Sequence, residues 1–385
     1  MNLRLLNVLF SLTILFSCKE SNMQENTFQE NSIKISDVKT YNELLLDNAY
    51  DIELIPLSYS GSESIIINME NLYFFDSAYF IIDSGPRGEH SIKKFTQSGK
   101  FVKALNHLEN NFQELPIEFV SSLGVKHLMA LDKLNNFYIL DKDLNITFHK
   151  ELPFKAEKVK ESDGKLFFFA NKRAINQQPD SLMYNFIVTD MEVNIINKFD
   201  PFTISSHSTN VTISTTNSFT NTGQLLWVNA ISDTIFNIQE DGMHPAFKVD
   251  FQIPPFKKKD YPEVNPGSLY PMLIADFSWG ISDIIKTDSY LFFMFREKGS
   301  LKLILFDAKS RQSYTIEESS GDTVQDVIPW PRTSLNNELY GWMGERNIAW
   351  VDNWNERDKN SILVKVHNHV KENINPVLIK YKFKL

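Results

Sequence analysis

The stretch "SAYFIID", Ser77 to Asp83, packs a tight polar turn, four apolar residues and a terminal acid into seven positions. An aromatic and branched run of this length, bounded by turn residues, reads as a buried strand entered through a hairpin. The pattern returns five times. Asn135-Asn136 leads into Phe137 to Leu140 and ends at Asp141. Asp163-Gly164 leads through Lys165-Leu166 into Phe167 to Ala170 and Asn171. Thr222 to Gln224 leads into Leu225 to Val228 and Asn229. Asp288-Ser289 leads through Tyr290-Leu291 into Phe292 to Phe295 and Arg296. Glu345 to Asn347 leads into Ile348 to Val351 and Asp352.

The six end positions are separated by 58, 30, 58, 67 and 56 residues. Four of these spacings suit one four-stranded unit with generous loops. Most copies are followed by a second hairpin, for example Ser91 to Phe95 turning at Gln97-Ser98-Gly99 into Lys100 to Leu105. Strand, turn, buried strand, loop, strand, turn, strand is the unit of a propeller blade. The expected fold is therefore all-β, a six-bladed β-propeller with four-stranded blades. The 30-residue interval predicts an abbreviated second blade. Only Leu152-Pro153-Phe154 is left there for an outer strand, with Pro153 on an edge. Asp51 to Leu57 and Val377 to Phe383 are expected to pair and close the ring, covering an open edge. Two independent β domains would be the other arrangement, but no linker separates the halves.

The only cysteine, Cys18, follows Arg4 and a mostly apolar run from Leu5 to Phe16. That run has the length of a signal h-region and is too short to span a bilayer. Leu15-Phe16-Ser17-Cys18 resembles the lipobox of bacterial lipoproteins, in which the cysteine thiol is lipidated after cleavage before it. Residues 1–17 then form a lipoprotein signal peptide and 18–40 a lipidated flexible tether, with the propeller over 41–385. More than one acyl chain gives stable anchoring. Lys19 in place of an aspartate favours, by the same resemblance, an outer-membrane lipoprotein on the periplasmic or cell-surface face. The mature chain then has no disulfide and depends on its core, for which 42% hydrophobic residues, 30 Phe and 13 Tyr suffice. A net charge of −9 argues against nucleic acid as partner.

Three further stretches carry a family resemblance: "YFIIDSGPRGEHSIKKFTQSGKFVKAL" from Tyr79, "SDTIFNIQEDGMHPAFKVDF" from Ser232 and "NPVLIKYKFKL" from Asn375. Together they resemble the first blade, central signature and closing strand of the six-bladed β-propeller lipoproteins, a mostly uncharacterised family of Gram-negative bacteria. The resemblance spans about residue 50 to 385 and implies the fold, without implying any one activity. A Gly-Pro-Gly-Glu-Tyr-like loop common in that family is replaced here by Glu109 to Glu114.

In a propeller, the loop after each second strand opens on the same face as the connection between blades. Asp83, Asp141, Asn171, Asn229, Arg296 and Asp352 are thus expected to ring one mouth of the channel. They form either a collar for a cation or hydroxyl-rich ligand or simple strand-end caps. Oxygen ligands would suit Ca²⁺ better than zinc. Two long connections, residues 252–280 and 317–337, are expected to rise above this mouth. They carry Trp279, Trp330 and Arg332, with Arg87 and Trp354 in loops on the same side. The tryptophans suit stacking on sugars or packing of the loops, and the arginines suit a carboxylate. His367-Asn368-His369 reads as part of an exposed hairpin, both imidazoles on one side of a strand, without a third ligand for a zinc site. No elbow, P-loop, dinucleotide or zincin motif occurs. The leading expectation is a binding or scaffold module for a glycan, peptide or envelope protein, with no metal and no catalytic residue named. The alternative is a hydrolase or lyase using acidic residues at the channel mouth.

Overall fold

The computed structural model describes residues 32–35, 50–85, 88–110, 113–124, 126–171, 183–202, 219–221, 224–228, 232–251, 253, 278–297, 300–317, 331–335, 338–348 and 362–383. Strands β1 (Ser32–Lys34) and β2 (Tyr50–Pro56) come first. A four-stranded antiparallel meander follows: β3 (Met69–Phe75), β4 (Ala78–Ser84), β5 (His90–Thr96) and β6 (Phe101–Leu105). After β7 (His107–Asn110) comes a second, made of β8 (Gln113–Leu123), β9 (His127–Asp132), β10 (Asn136–Leu140) and β11 (Ile146–Glu151). The third is β12 (Lys158–Ser162), β13 (Lys165–Phe169), β14 (Met183–Thr189) and β15 (Ile195–Phe202). The fourth is β16 (Phe219–Asn221), β17 (Leu225–Val228), β18 (Thr234–Gln239) and β19 (Gly242–Asp250). The fifth is β20 (Ser278–Lys286), β21 (Tyr290–Glu297), β22 (Ser300–Asp307) and β23 (Ser313–Glu317). The last part of the chain holds β24 (Thr333–Leu335), β25 (Glu338–Met343), helices α1 (Glu345–Ile348) and α2 (Ile362–Asn373), and β26 (Val377–Phe383).

These strands form one five-stranded, one nine-stranded and three four-stranded sheets. The nine-stranded sheet is the first two meanders, joined at His90 and Ile117 and by β7 along β8. The last sheet runs β2-β26-β25-β24, and β2 pairs with β26 from Tyr50 opposite Phe383 to Pro56 opposite Val377. The pairing of the two chain ends expected from the sequence is therefore present. β1 adds to the outer edge of β19 in parallel and buries Ile33.

The apolar runs build the core between sheets. Phe168 packs with Phe137 and Phe154 between the second and third meanders. Phe167, Phe169, Phe186 and Trp227 fill the space between the third and fourth. Similar clusters join each further consecutive pair, and another joins the last sheet to the first through Tyr340, Leu378, Tyr79 and Phe95. Fully burying one such aromatic contributes roughly 1.5–3 kcal/mol, so the aromatic-rich strands hold the sheets together without disulfides. Gly99 sits in the outer turn of the first meander with φ +82°, and an added Cβ there would lie 2.0 Å from the Pro56 carbonyl oxygen. Only glycine allows β2 to approach so closely. The first strands also meet: β8 touches β12, β12 touches β16, β16 touches β20, β20 touches β24 and β24 touches β3. Among the described residues no helix is long and apolar enough to cross a membrane.

Six expectations are corrected. The second meander is not abbreviated, because β11 (Ile146–Glu151) is its outer strand. Phe137 to Leu140 is its third strand, whereas the matching runs of the first and third meanders are second strands. The turn at Asn135, with φ 71°, imitates the entry turn of the other copies. The sixth copy is not a strand at its start, since Ile348 ends α1; the second strand there is β25, Glu338–Met343. His367 and His369 lie on α2, where residues two apart point roughly 200° from each other, so the imidazoles do not share a side. Ser278-Trp279 belongs to β20 and not to a long connection. The described part of the stretch read as tether, Ser32–Lys34, is the edge strand β1.

Candidate functional site

The first strand of a meander has one edge bonded to the second strand and the other facing the neighbouring first strands. Three of these strands carry a β-bulge, and each bulge places an acid. Pairing passes from Met69 opposite Asp83 to Asn71 opposite Ile82, which leaves Glu70 as the extra residue. It passes from Ile117 opposite Asp132 to Phe119 opposite Leu131, leaving Glu118. It passes from Ser282 opposite Met294 to Ile284 opposite Phe293, leaving Asp283, whose φ of 47° is left-handed. A bulge re-aims a side chain out of the pleat. The fourth participant, β12, is regular, and alternation puts Lys158 and Lys160 on one side of it.

These groups sense one another. His90 Nε2 donates to Glu70 Oε2 at 2.6 Å, and Nδ1 faces the Ile117 carbonyl at 3.3 Å. Both neighbours are acceptors, so both ring nitrogens carry protons. Burial opposes the charge on His90, but the bonded Glu70 carboxylate and nearby Glu118 hold its pKa above the ordinary value. Glu70 is held low by His90 and Lys158 in spite of burial. Lys158 is 5% exposed. Burial pushes its pKa down to about 8 against the pull of Glu157, Asp283 and Glu70. Burial, then the charge of Lys158, pushes Lys160 down to about 7. Lys160 Nζ lies 5.8 Å from the Phe119 ring centroid. Acids and bases from four meanders thus converge where the first strands meet, with two lysines whose pKa values burial pushes down to about 8 and about 7.

The expected collar divides differently. Asp83 is 2% exposed and spent on structure. Its Oδ1 accepts from the Ile67 and Asn68 amides at 2.9 and 2.7 Å, and its Oδ2 pairs with buried Lys93. Lys93 also donates to Ser91 Oγ at 2.9 Å. Asp141 ends a third strand, one strand out of phase. Its carboxylate accepts from the Asp143 and Asn145 amides and the Asn145 side chain, capping the turn to β11. Asp190 does the same in the third meander. The residue matching Asp83 in the second meander is Asp132, which the sequence reading missed. It is 2% exposed and accepts from the Asn136 amide, the Asn136 side chain and the Tyr138 hydroxyl. Asn171 donates to Glu157 Oε2 at 2.8 Å, tying a second-strand end to the entry of β12. Trp279 and Arg296 are register partners across β20 and β21. Arg332 is exposed and donates its amide to the Tyr340 carbonyl at 2.7 Å, directly before β24. Cys18, Arg87, Asn229, Trp330, Asp352 and Trp354 lie outside the described residues. Among the described residues no group of three His, Cys, Asp or Glu side chains is placed to hold a metal ion.

Glu70, Glu118, Asp283, Lys158, Lys160 and His90 carried no motif. The one visible signal was Lys158-Val159-Lys160, two cations alternating with a core residue before an aromatic run.

The chain is similar in structure to a Bacteroides fragilis protein described as exported. The TM-score is 0.67 at 17% identity, over 92% of this chain and 99% of that one. A more distant match is the extracellular domain of a hybrid two-component system from B. thetaiotaomicron. Its TM-score is 0.40 at 14% identity, over 76% of this chain and 34% of that one. BamB from Moraxella catarrhalis matches with a TM-score of 0.38 at 12% identity, over 70% and 69% of the two chains. No curated protein matches the chain. A family model, "Domain of unknown function (DUF4934)", matches residues 30–382. With nearly its whole length matched and a β-propeller-like fold, the chain belongs to the DUF4934 family.

Proposed function

We propose that this protein is a lipid-anchored, six-bladed β-propeller of the cell envelope that binds a ligand at the inner ends of its blades. The six successive groups of strands, each sharing an apolar cluster with the next and the last with the first, support a closed ring. Pairing of β2 with β26 supports its closure. The exported neighbour supports the envelope location, and the sequence around Cys18 supports the anchor. Cys18→Ala is expected to abolish incorporation of a fatty-acid analogue during growth; equal labelling of wild type and variant would sink the anchor.

The observation that carries the binding reading is the convergence of Glu70, Asp283, Lys158 and Lys160 from three first strands, two of them with a bulge and the third with two desolvated cations. Such groups add little to folding stability, and a polar cluster on a rigid scaffold suits recognition of a glycan, peptide or envelope protein. Glycan and peptide arrays would supply the ligand. Asp283→Asn is expected to weaken binding at least tenfold, and Lys100→Ala in an outer turn to leave it unchanged. Equal affinity of both variants would remove the cluster from consideration. The hydrolase or lyase reading is favoured by one feature, the near-neutral titration of Lys158 and Lys160 beside carboxylates. Turnover of an array-selected ligand by wild type, lost in Glu70→Gln, would establish it.

A further inference from the structure

Lys160 differs from every other charged group of the cluster. Glu70 has His90, and Lys158 has three carboxylates around it. Lys160 has Lys158 two residues away on the same side of β12 and the face of Phe119 from β8. Among the described residues, none of the ion pairs reaches it. A cation desolvated beside a like charge is held at a cost, and a ring face offsets only part of it. The residue as a whole keeps part of its surface exposed, although its ammonium is desolvated. A stability-driven sequence would place an apolar residue there, as Val159 occupies the opposite side of the strand.

We propose that Lys160, with Lys158 beside it and Phe119 against it, forms a subsite for one oxyanion of the ligand, a carboxylate or a sulfate. This rests on the channel-binding reading and adds the charge class of the ligand. The anion supplies the counter-charge that Lys160 lacks, and Lys158 on the same side of the strand adds to the positive field that would hold it. Two adjacent residues of the same strand side are roughly 6.6 Å apart, close enough for both charges to act on one oxyanion.

The subsite has a signature in pH. The free Lys160 titrates at about 7, and Lys158 at about 8. The other titratable groups facing them are Glu157, Asp283 and Glu70, with His90 and Glu118 beyond. The bound anion favours the charged amine. Binding above neutrality therefore takes up a proton, and affinity falls toward tenfold per pH unit as pH rises.

The test uses the full mature chain. Trinitrobenzenesulfonate, an anionic amine reagent, is added in limiting amount at pH 7.5, and labelling is read by mass spectrometry. Lys160 is expected to react well ahead of Lys103, and millimolar sulfate or glucuronate, but not glucose, to slow it. In calorimetry Lys160→Met is expected to lose oxyanion binding at least tenfold. Lys160→Arg should keep binding but lose the part of the pH dependence centred near 7, leaving only the part near 8 that belongs to Lys158. Lys160→Met should also raise the melting temperature of the ligand-free protein, which a structural lysine would not do. Labelling of Lys160 no faster than Lys103, or no protection by either oxyanion, overturns the subsite. If Lys160→Met leaves array ligands bound while Asp283→Asn releases them, the channel reading stands and the oxyanion subsite falls. If neither variant changes array binding, both fall. Sulfate protecting without glucuronate assigns a sulfate ester, and the reverse assigns a carboxylate.

Discussion

Asp83 and Asp141 end look-alike runs, "YFIID" and "FYILD", and the molecule uses them in opposite ways. Asp83 closes a second strand, is 2% exposed, and holds the entry of its own first strand while neutralising Lys93. Asp141 closes a third strand at the surface and folds its carboxylate back onto Asn145. The run of apolar residues before each acid depends only on burial from both faces, which second and third strands share. What the acid does depends on whether the next segment is a wide loop returning toward the first strand or a tight turn. Composition of the run therefore locates a strand, and only the loop that follows locates it within the meander.

The largest effect is expected at the buried pair. Asp83→Ala leaves the Lys93 ammonium buried without its carboxylate and two amides without their acceptor. Breaking one side of such a pair costs about 3–5 kcal/mol. Chemical denaturation of Asp83→Ala, and of Asp83→Leu with Lys93→Met, would check it. The double variant should recover most of the loss, because removing both charges also removes their desolvation. A loss below about 1 kcal/mol in the single variant would place Asp83 with Asp141 among the surface caps.

Asp132 is expected to come next. Asp132→Ala strips the partner from the buried Tyr138 hydroxyl and the Asn136 amide, and each orphaned buried group costs roughly 1–3 kcal/mol. A total of about 2–3 kcal/mol, with Tyr138→Phe recovering part of it in the double variant, would confirm Asp132 as the second-meander counterpart of Asp83. A loss matching that of Asp141→Ala would return the strand phase to the sequence reading.

Much of the fold was legible because aromatic runs and turn residues report burial and chain reversal directly. The strands at Tyr79, Phe168, Leu225 and Phe292, the outer hairpins and the pairing of the chain ends all followed from that. The phase error at Phe137 arose because "HLMALD" from His127, the true second strand, is short of aromatics, while Asn135-Asn136 copies a hairpin entry. The sixth copy failed because Glu345 to Asn347, a polar stretch that reads as a hairpin entry before Ile348, is the start of helix α1. The candidate site was nearly invisible for a different reason. A β-bulge is a property of two strands in register, and no single strand announces it. Glu70, Glu118 and Asp283 read as ordinary polar positions until their partners across the sheet are known.

Asp141 gives the smallest expected effect and the sharpest discrimination. Its three hydrogen bonds are made at the surface, where water replaces them, so Asp141→Ala should cost about 1 kcal/mol. Despite some desolvation, the bonds from Asn145 and Asp143 hold its pKa below the ordinary carboxylate range. A depressed carboxylate stabilises the folded state above its unfolded pKa, and that contribution fades as pH falls through the folded value. The difference in stability between wild type and Asp141→Ala should therefore be constant near neutrality and shrink in acid. Asp141→Asn should show a smaller loss with little pH dependence, since the amide oxygen still accepts from the turn. A channel-mouth role predicts otherwise: Asp141→Ala would then leave stability alone and weaken the array-selected ligand as Asp283→Asn does. Stability curves from pH 3 to 7 and one ligand titration on the same variant decide between the turn and the collar.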